Sequence, residues 1–497
     1  MHSDIVIIGS GISALTAAAL LAKKGAQVLV IEKERRIGGA VKQFKRKGIP
    51  FDVGFHYTGC LGEDEILHKL WRFCGILNHL EILPFPDHGS DRIYLTNRDR
   101  PIDSFFSYER IIRELQHSFP QEKLAISSYF DTLRAICRRI PFYNQDLSLT
   151  QFLQEFRSSR LSVKAFVQGL TKDSELQAVL TSPVALYGIP TDNASIDVHA
   201  MVAHGYRQGA YSVEGGGQAV VDAFEHVCKA GGVSFLPGVQ VAEIDFDDRG
   251  VTGVKTDSSD RISCNRIIYT GHPTSLIPLM GTRAFRPVYR KRLLQLKNTI
   301  SMNVLFGVMP KPPPSLEWHN HIFLPGGSNP LDKKNNQIKD RLLMVTSTAR
   351  GSFSLRQDYK SVILLQPAWW EEVKMFENST SCTRPTLYHV HKEEISRAMI
   401  AQAEKCISSD FKRIEPLAVG TPLTFRDELS APQGCAYGAS HSLDQYTPDI
   451  RTRVPGLYLS GQSTLMTGIV GASLAGFTSA GYILGLEPFW EELRSCS

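Results

Sequence analysis

This 497-residue sequence predicts an α/β fold whose parallel sheet is interleaved with a second, α+β unit. Three observations predict it. The opening run Ile5–Glu32 reads as strand, glycine turn, helix and strand. A glycine-rich turn leads into a helical stripe and strand-like segments near residue 215. A strand, turn and small-residue helix closes the chain between Val454 and Gly485. The length exceeds what one simple core accommodates, so two units are expected.

Composition narrows the function classes. With 42% hydrophobic and 21% charged residues and a formal charge of +5, the chain is globular, and its basic residues are interspersed with acidic ones. That pattern argues against a nucleic-acid partner. Nine cysteines (Cys60, Cys74, Cys137, Cys228, Cys264, Cys382, Cys406, Cys435 and Cys496) are scattered, odd in number and without a CxxC pair. They read as reduced intracellular thiols, neither a disulfide frame nor a metal site. The apolar run Ile5–Ala22 lacks a basic flank and is broken by Gly9, Ser10 and Gly11, which favours a soluble strand and helix over an anchor or signal peptide. No separate targeting segment fits before Asp4, so a cytoplasmic protein is expected, at most peripherally associated with a membrane.

The first element is Ile5–Ile8 as strand, followed by a helix over about Ile12–Lys23, a Gly25 stop and a strand over Val28–Glu32. The turn is G-x-G-x-x-A, with Gly9, Gly11 and Ala14. Gly9 permits the tight turn, Gly11 lets a pyrophosphate approach the backbone, and Ala14 keeps the helix close to the sheet. Ser10 and Ser13 lie in this turn and in the first helical turn, where free N–H groups and the positive dipole end face phosphates. Glu32 ends the second strand, where a carboxylate can accept from both ribose hydroxyls, and Lys33 follows it. This is a Rossmann fingerprint, against the plain alternative of a βαβ unit without ligand. Alone it does not separate NAD from FAD.

The stretch "IEKERRIGGAVKQF" adds Gly38 and Gly39 at a fixed distance from Glu32. E-x5-G-G resembles the pattern of flavoproteins that bind FAD in the manner of the amine oxidases and phytoene desaturases. It implies FAD, with this second loop passing close to the diphosphate. The bland alternative is a glycine turn between strand and loop. Many members carry Arg where Ala40 stands, so that phosphate contact is not available here.

Two later segments complete such a site. Gly215, Gly216 and Gly217 lead into a helix with Val220, Ala223, Phe224, Val227 and Cys228 on one stripe and His226 off it. After Gly231 and Gly232 the pattern turns strand-like through Val239, Val241 and Ile244; the resemblance implies a backbone contact from Val241 to the adenine. Near the C-terminus a strand at Gly456–Ser460 meets Gly461 and Gln462, and Gly468, Ile469 and Val470 open an apolar helix carrying Gly471 and Ala472. That N-terminus suits the N1 and O2 edge of a flavin. The helix is short for a membrane span. Ser463 stands where the family often has Asp or Glu, which removes one expected polar contact.

"FDVGFHYTG" at Phe51–Gly59 and "TPLTFRDELSAPQGCAYGASHSLDQYTPDIRTRVPGLYLSGQS" at Thr421–Ser463 carry a closer resemblance. The chain is similar to the carotenoid and retinoid oxidoreductases, which include phytoene desaturases, carotenoid isomerases and, nearest, the retinol saturases. The resemblance implies a discontinuous FAD-binding domain (1–75, 205–275 and 415–497) and a substrate domain (76–204 and 276–414) built on a mostly antiparallel sheet. It also implies a hydrophobic substrate. No second strand-GxGxxG-helix unit is present, so electrons are expected from a transiently docked donor such as NAD(P)H or another reductant, from flavin reduced elsewhere, or from the substrate. The apolar and basic stretch Thr274–Ile300 reads either as a membrane-facing rim for substrate entry or as an ordinary helix roofing the pocket.

The chemistry expected is hydride transfer between flavin N5 and one carbon of a C=C bond, with a proton moving at its neighbour. An apolar polyene needs a dry tunnel more than a triad. His56, Tyr57 and Tyr437 are the candidate catalytic groups, each with a packing role as its plainer reading. Spacing at His389 and His391 is strand-like, and no metal is expected. The leading reading is a reductase that saturates one double bond of a retinoid or carotenoid. Alternatives on the same frame are a cis-trans isomerase, a desaturase and a fatty-acyl double-bond enzyme. A non-catalytic flavin-binding scaffold and an amine oxidase also stay open.

Overall fold

The computed structural model describes residues 2–281, 283–326, 329–333, 337–347 and 359–496. Strands β1 (Ile5–Ile8), β2 (Val28–Glu32), β3 (Ser234–Pro237), β4 (Arg266–Tyr269) and β5 (Leu457–Leu459) form one parallel sheet in the order β5-β4-β1-β2-β3. Side chains alternate along each strand. Ile5, Ile7, Val28 and Val30 therefore join the main core, and Val6, Leu29 and Ile31 join a second core on the opposite face. Burial of both faces explains why β1 and β2 read as continuous apolar runs.

Helices α1 (Ile12–Lys23), α2 (Ile196–Gly205), α3 (Gly216–Ala230), α4 (Pro287–Leu294) and α5 (Gly468–Leu484) matter for the site. Every residue of α1 from Ile12 to Ala22 is buried. The helix is apolar all round because α3 and α5 pack on it inside the protein. At the crossing with α5, a Cβ on Gly476 would collide with the Ser13 carbonyl oxygen. Beside it the Ser13 and Ser460 hydroxyls lie 2.5 Å apart, and Ser479 Oγ donates to Ser460 Oγ at 2.8 Å. The opposite face of the sheet is covered by a three-stranded antiparallel sheet, Val241–Asp247, Gly250–Thr256 and Arg261–Ser263.

The second unit is a seven-stranded sheet in the order Glu415–Gly420, Ser301–Pro310, Tyr359–Ala368, Leu343–Ser347, His319–Leu324, Ser90–Leu95 and Ile102–Phe105. All its pairings are antiparallel except that of His319–Leu324 with Ser90–Leu95. Its first strand corrects the sequence reading. Glu415–Gly420 pairs with Ser301–Pro310, so the chain leaves this sheet only after Gly420.

Two further expectations change. His389 and His391 lie on a 21-residue helix, Thr386–Cys406, not on a strand; two histidines two apart do not establish a period. The stretch Thr274–Ile300 is broken rather than one roofing helix. A 3₁₀ turn (Pro273–Ser275), a one-turn helix (Leu276–Met280) and α4 are separated at Gly281, which has φ +68°, and begin again at Pro287. Leu276, Met280 and Phe285 pack into the core on the outer face of the parallel sheet. Among the described residues no helix is long and apolar enough to cross a membrane.

Candidate cofactor and substrate site

The carboxyl end of the parallel sheet gathers the predicted cofactor residues. Ser10 is fully enclosed, and its N–H and hydroxyl both donate to Glu32 Oε2, at 2.9 and 2.6 Å. Glu32 Oε1 accepts from the Glu34 N–H at 2.9 Å. The amide of Gly38 donates to the Ser10 carbonyl at 3.1 Å and approaches its hydroxyl at 3.2 Å. One buried carboxylate thus ties the first turn to the end of β2, and Ser10 ties both to the second glycine loop. A carboxylate has about four acceptor sites; three protein donors leave Glu32 less capacity for ribose than two free hydroxyl contacts would use. Lys33 is exposed and pairs with Glu34 at 3.3 Å.

The glycines divide into two kinds. Gly38 (φ +111°) and Gly39 (φ +53°) are packed by protein: a Cβ on Gly38 would lie 2.6 Å from Val221 Cγ2, and one on Gly39 would lie 3.0 Å from Gly11 Cα. Loop-on-loop and loop-on-α3 contact therefore demand these two glycines directly. Gly11 and Gly468 are different, because among the described residues a Cβ at either would meet nothing within 4 Å. Each opens a long helix, α1 or α5, whose N-terminus has no side-chain cap. Two uncapped N-termini fronted by open glycines fit an anionic diphosphate and an electron-accepting ring edge. Ala14 is fully buried in α1, and Ser13 is buried with its hydroxyl committed to Ser460.

At β3 the chain returns to β2. Gly238 N–H donates to the Glu34 carbonyl and Val239 N–H to the Glu32 carbonyl, at 2.9 and 3.0 Å. Val241 follows, with its side chain buried in the core under β2. Gly461 and Gln462 continue from β5, and the loop carrying Tyr437 is fastened to them: Ala439 N–H donates to Ser463 Oγ at 3.0 Å, and His441 Nε2 lies 2.9 Å from the Gln462 carbonyl. Burial lowers the His441 pKa, partly opposed by that hydrogen bond, so the ring is a neutral donor.

A cavity of about 50 Å³ lies where Met466–Val470 faces Thr58–Cys60 and α2. Leu186, Met201, Val202, Met466, Ile469 and Val470 supply apolar walls, and none of the described lining residues carries a formal charge. Its titratable groups are Cys60, Tyr143 and Tyr206, all pushed upward chiefly by burial and therefore neutral. Tyr143 donates to the Met201 carbonyl. The Tyr206 hydroxyl makes no hydrogen bond to a described residue.

None of the three predicted catalytic side chains belongs to this lining. Tyr57 is buried against Phe85, Phe106 and Tyr206, and its hydroxyl donates to Asp91 at 3.1 Å. Asn320 Nδ2 donates to the same carboxylate at 2.7 Å. Burial first, and the Asp91 charge second, hold the Tyr57 pKa well above its ordinary value. Tyr437 donates to the Ala185 carbonyl at 3.2 Å, and burial raises its pKa to about 12. His56 is half-buried, two residues before the cavity wall at Thr58. Sequence reasoning missed Cys60, Tyr143, Leu186, Met201 and Tyr206. They come from separate segments, and most of α2 is buried, so no apolar stripe marks the face it presents to the cavity.

Comparison with known proteins bears on the family and the fold. The family model described as flavin containing amine oxidoreductase matches residues 12–484. The all-trans-retinol 13,14-reductase of Macaca fascicularis is 26% identical, over 94% of this chain and 83% of its own. The 4,4'-diaponeurosporene oxygenase of Staphylococcus haemolyticus is 24% identical over 54% of this chain and 55% of its own. Among solved structures, cyclohexylamine oxidase from Brevibacterium oxydans superposes with a TM-score of 0.64 at 16% identity, covering 99% of each chain. The cofactor is FAD. The chain belongs to the flavin-containing amine oxidoreductase family, as an FAD-dependent oxidoreductase related to retinol saturases and carotenoid oxygenases.

Proposed function

We propose that the protein saturates one C=C bond of a hydrophobic polyene such as a retinoid or carotenoid, with 1–75, 205–275 and the chain after Gly420 as its FAD-binding part. The observation that carries this is the cavity at Met466–Val470, with apolar walls and no ionised side chain. A cationic amine would find no carboxylate there, whereas a polyene loses nothing by desolvation. The cavity is far smaller than the several hundred Å³ a ligand of that size fills. Admission of substrate therefore requires the Thr58–Cys60 loop and α2 to part.

Bound FAD supplies hydride transfer at flavin N5. The N-terminus of α1 with Gly11 holds the diphosphate, joined by Gly39, and Glu32 takes a ribose hydroxyl with its remaining capacity. The N-terminus of α5, Gly468–Val470, steadies negative charge at the ring edge. Val241 and the loop before it border the adenine, and Gly461 and Gln462 the ribityl chain. Apolar walls exclude water. Tyr206, neutral through burial, gives its Oη proton to the neighbouring carbon. Tyr57, fixed by Asp91, holds the Tyr206 ring, and His56 restores the proton or holds a terminal hydroxyl. A soluble reductant docks transiently to deliver electrons.

The test is anaerobic: reduced, dithionite-free protein is mixed with retinol or a carotene while flavin and polyene spectra are followed together. Return of the oxidised flavin band with a blue shift of the polyene supports saturation. A flavin that stays reduced while the isomer profile changes assigns isomerisation instead. Tyr206→Phe is expected to slow the single turnover by about 10²–10⁴ with flavin content intact.

A further inference from the structure

We propose that the cleft between α4 and the loop Tyr446–Arg453 is a docking site for the phosphate headgroups of an anionic lipid surface. The cleft is about 860 Å³ and is lined by Arg286, Arg292, Arg451 and Arg453, with Asp449 as the single carboxylate among the described lining residues. None of the four guanidiniums forms an ion pair with a described residue. Asp449 is already engaged, its Oδ1 accepting from the Arg451 N–H at 3.0 Å. Arg292 lies over the Tyr446 ring at 5.5 Å and Arg451 over the Tyr482 ring at 4.8 Å. Aromatic faces orient guanidiniums without neutralising them, so the cleft keeps a positive surplus suited to phosphate oxygens.

The apolar neighbours select a membrane over a free phosphate. Val288, in the cleft wall, is 65% exposed, and Leu294 at the end of α4 is 60% exposed. Arg290, Lys291 and Arg292 stand between them on the same helix. Apolar side chains projecting among bases are stranded in water beside a soluble anion and are buried at a headgroup boundary. The cleft is also remote from the flavin chemistry: Tyr482, under Arg451, lies roughly 20 Å along α5 from Gly468 at the helical rise.

The experiment is co-sedimentation of the flavoprotein with vesicles of phosphatidylcholine, with and without phosphatidylserine. Binding is expected only to the mixed vesicles, and to weaken as salt is raised. Each juxtamembrane arginine contributes about fivefold. Arg451→Gln with Arg453→Gln should therefore lower the partition coefficient about 25-fold, while Arg397→Gln, exposed on the Thr386–Cys406 helix, changes nothing. Val288→Ser with Leu294→Ser should weaken binding at every salt concentration. An unaltered flavin spectrum in each variant establishes that the fold is intact. Equal binding by the double arginine variant, or no binding of the natural protein to the mixed vesicles, overturns the proposal. Saturable uptake of inorganic pyrophosphate without vesicle binding overturns it in favour of a soluble phosphate ligand.

Discussion

Replacing Gly38 with Ala asks whether that glycine serves the cofactor or the fold. Two costs are readable from the structure. A φ of +111° is strained for any L-residue, at about 1–3 kcal/mol. The new methyl would also lie 2.6 and 3.1 Å from the two γ-carbons of Val221, which is fully buried; overpacking of that kind costs about 1–3 kcal/mol. The sum, about 2–6 kcal/mol, should appear in the urea unfolding of protein stripped of flavin. Val221→Ala alone should cost about 2 kcal/mol for two lost methyl groups. In the double variant the overlap vanishes but the backbone strain remains, so the double should be more stable than additivity predicts by about 1–3 kcal/mol. Flavin titration of the same proteins completes the cycle. If Gly38→Ala leaves the flavin-free protein within about 0.5 kcal/mol of the parent and only weakens FAD, the packing argument is refuted and ligand approach is the reason for the glycine.

Other outcomes follow from the same geometry. Glu32→Gln turns an NH₂ group toward one of the N–H or O–H donors of Ser10 and Glu34 and should cost about 1–3 kcal/mol, with flavin lost more readily on gel filtration. Gly468→Ala, at φ +76° and with open space ahead, should cost about 1–2 kcal/mol and weaken FAD tenfold or more; Gly485→Ala, at φ +100° and equally open, should cost stability without affecting the flavin. His199, held between the Tyr129 and Tyr187 hydroxyls at 2.7 and 2.9 Å, has its pKa lowered to about 3, chiefly by burial. The unfolded chain therefore takes up the proton first, and stability falls as pH drops from about 6.5 toward 3. Between pH 6.5 and 5 this one group removes about 1.6 kcal/mol, a slope that should be missing from His199→Gln in urea titrations at the two pH values.

Legibility differed by region for physical reasons. The limits of β1, α1 and β2 could be read because glycines punctuate them and both faces of the sheet are apolar. The uncapped N-terminus at Gly468 was legible for the same reason. What gives Gly38 its role was not: its partner Val221 lies far along the chain, and nothing local records the contact. The cavity drew its wall from Thr58–Cys60, Leu186, α2 and Met466–Val470, a convergence that only the tertiary fold creates. Tyr57 looked chemical in its Asp-x-Gly-x-His-Tyr setting, yet its hydroxyl is committed to Asp91. Thr274–Ile300 read as one element because its composition is uniform, while Gly281 and Pro287 divide it.

The crossing of α1 and α5 at Gly476 joins two helices that are translated far apart in time. Helix α1 is buried from Ile12 to Ala22 by α3 and α5 together, and the whole stretch between Lys23 and Gly468 is translated before α5 appears. At roughly 5–20 residues per second, α1 waits tens of seconds for this second partner, and the edge strand β5 arrives equally late. A ribosome-bound chain short of Leu484 carries a sticky, unmatched helix and half a flavin cradle. Until α5 emerges that apolar surface stays uncovered, and a cofactor cradle that needs the N-termini of both α1 and α5 cannot close.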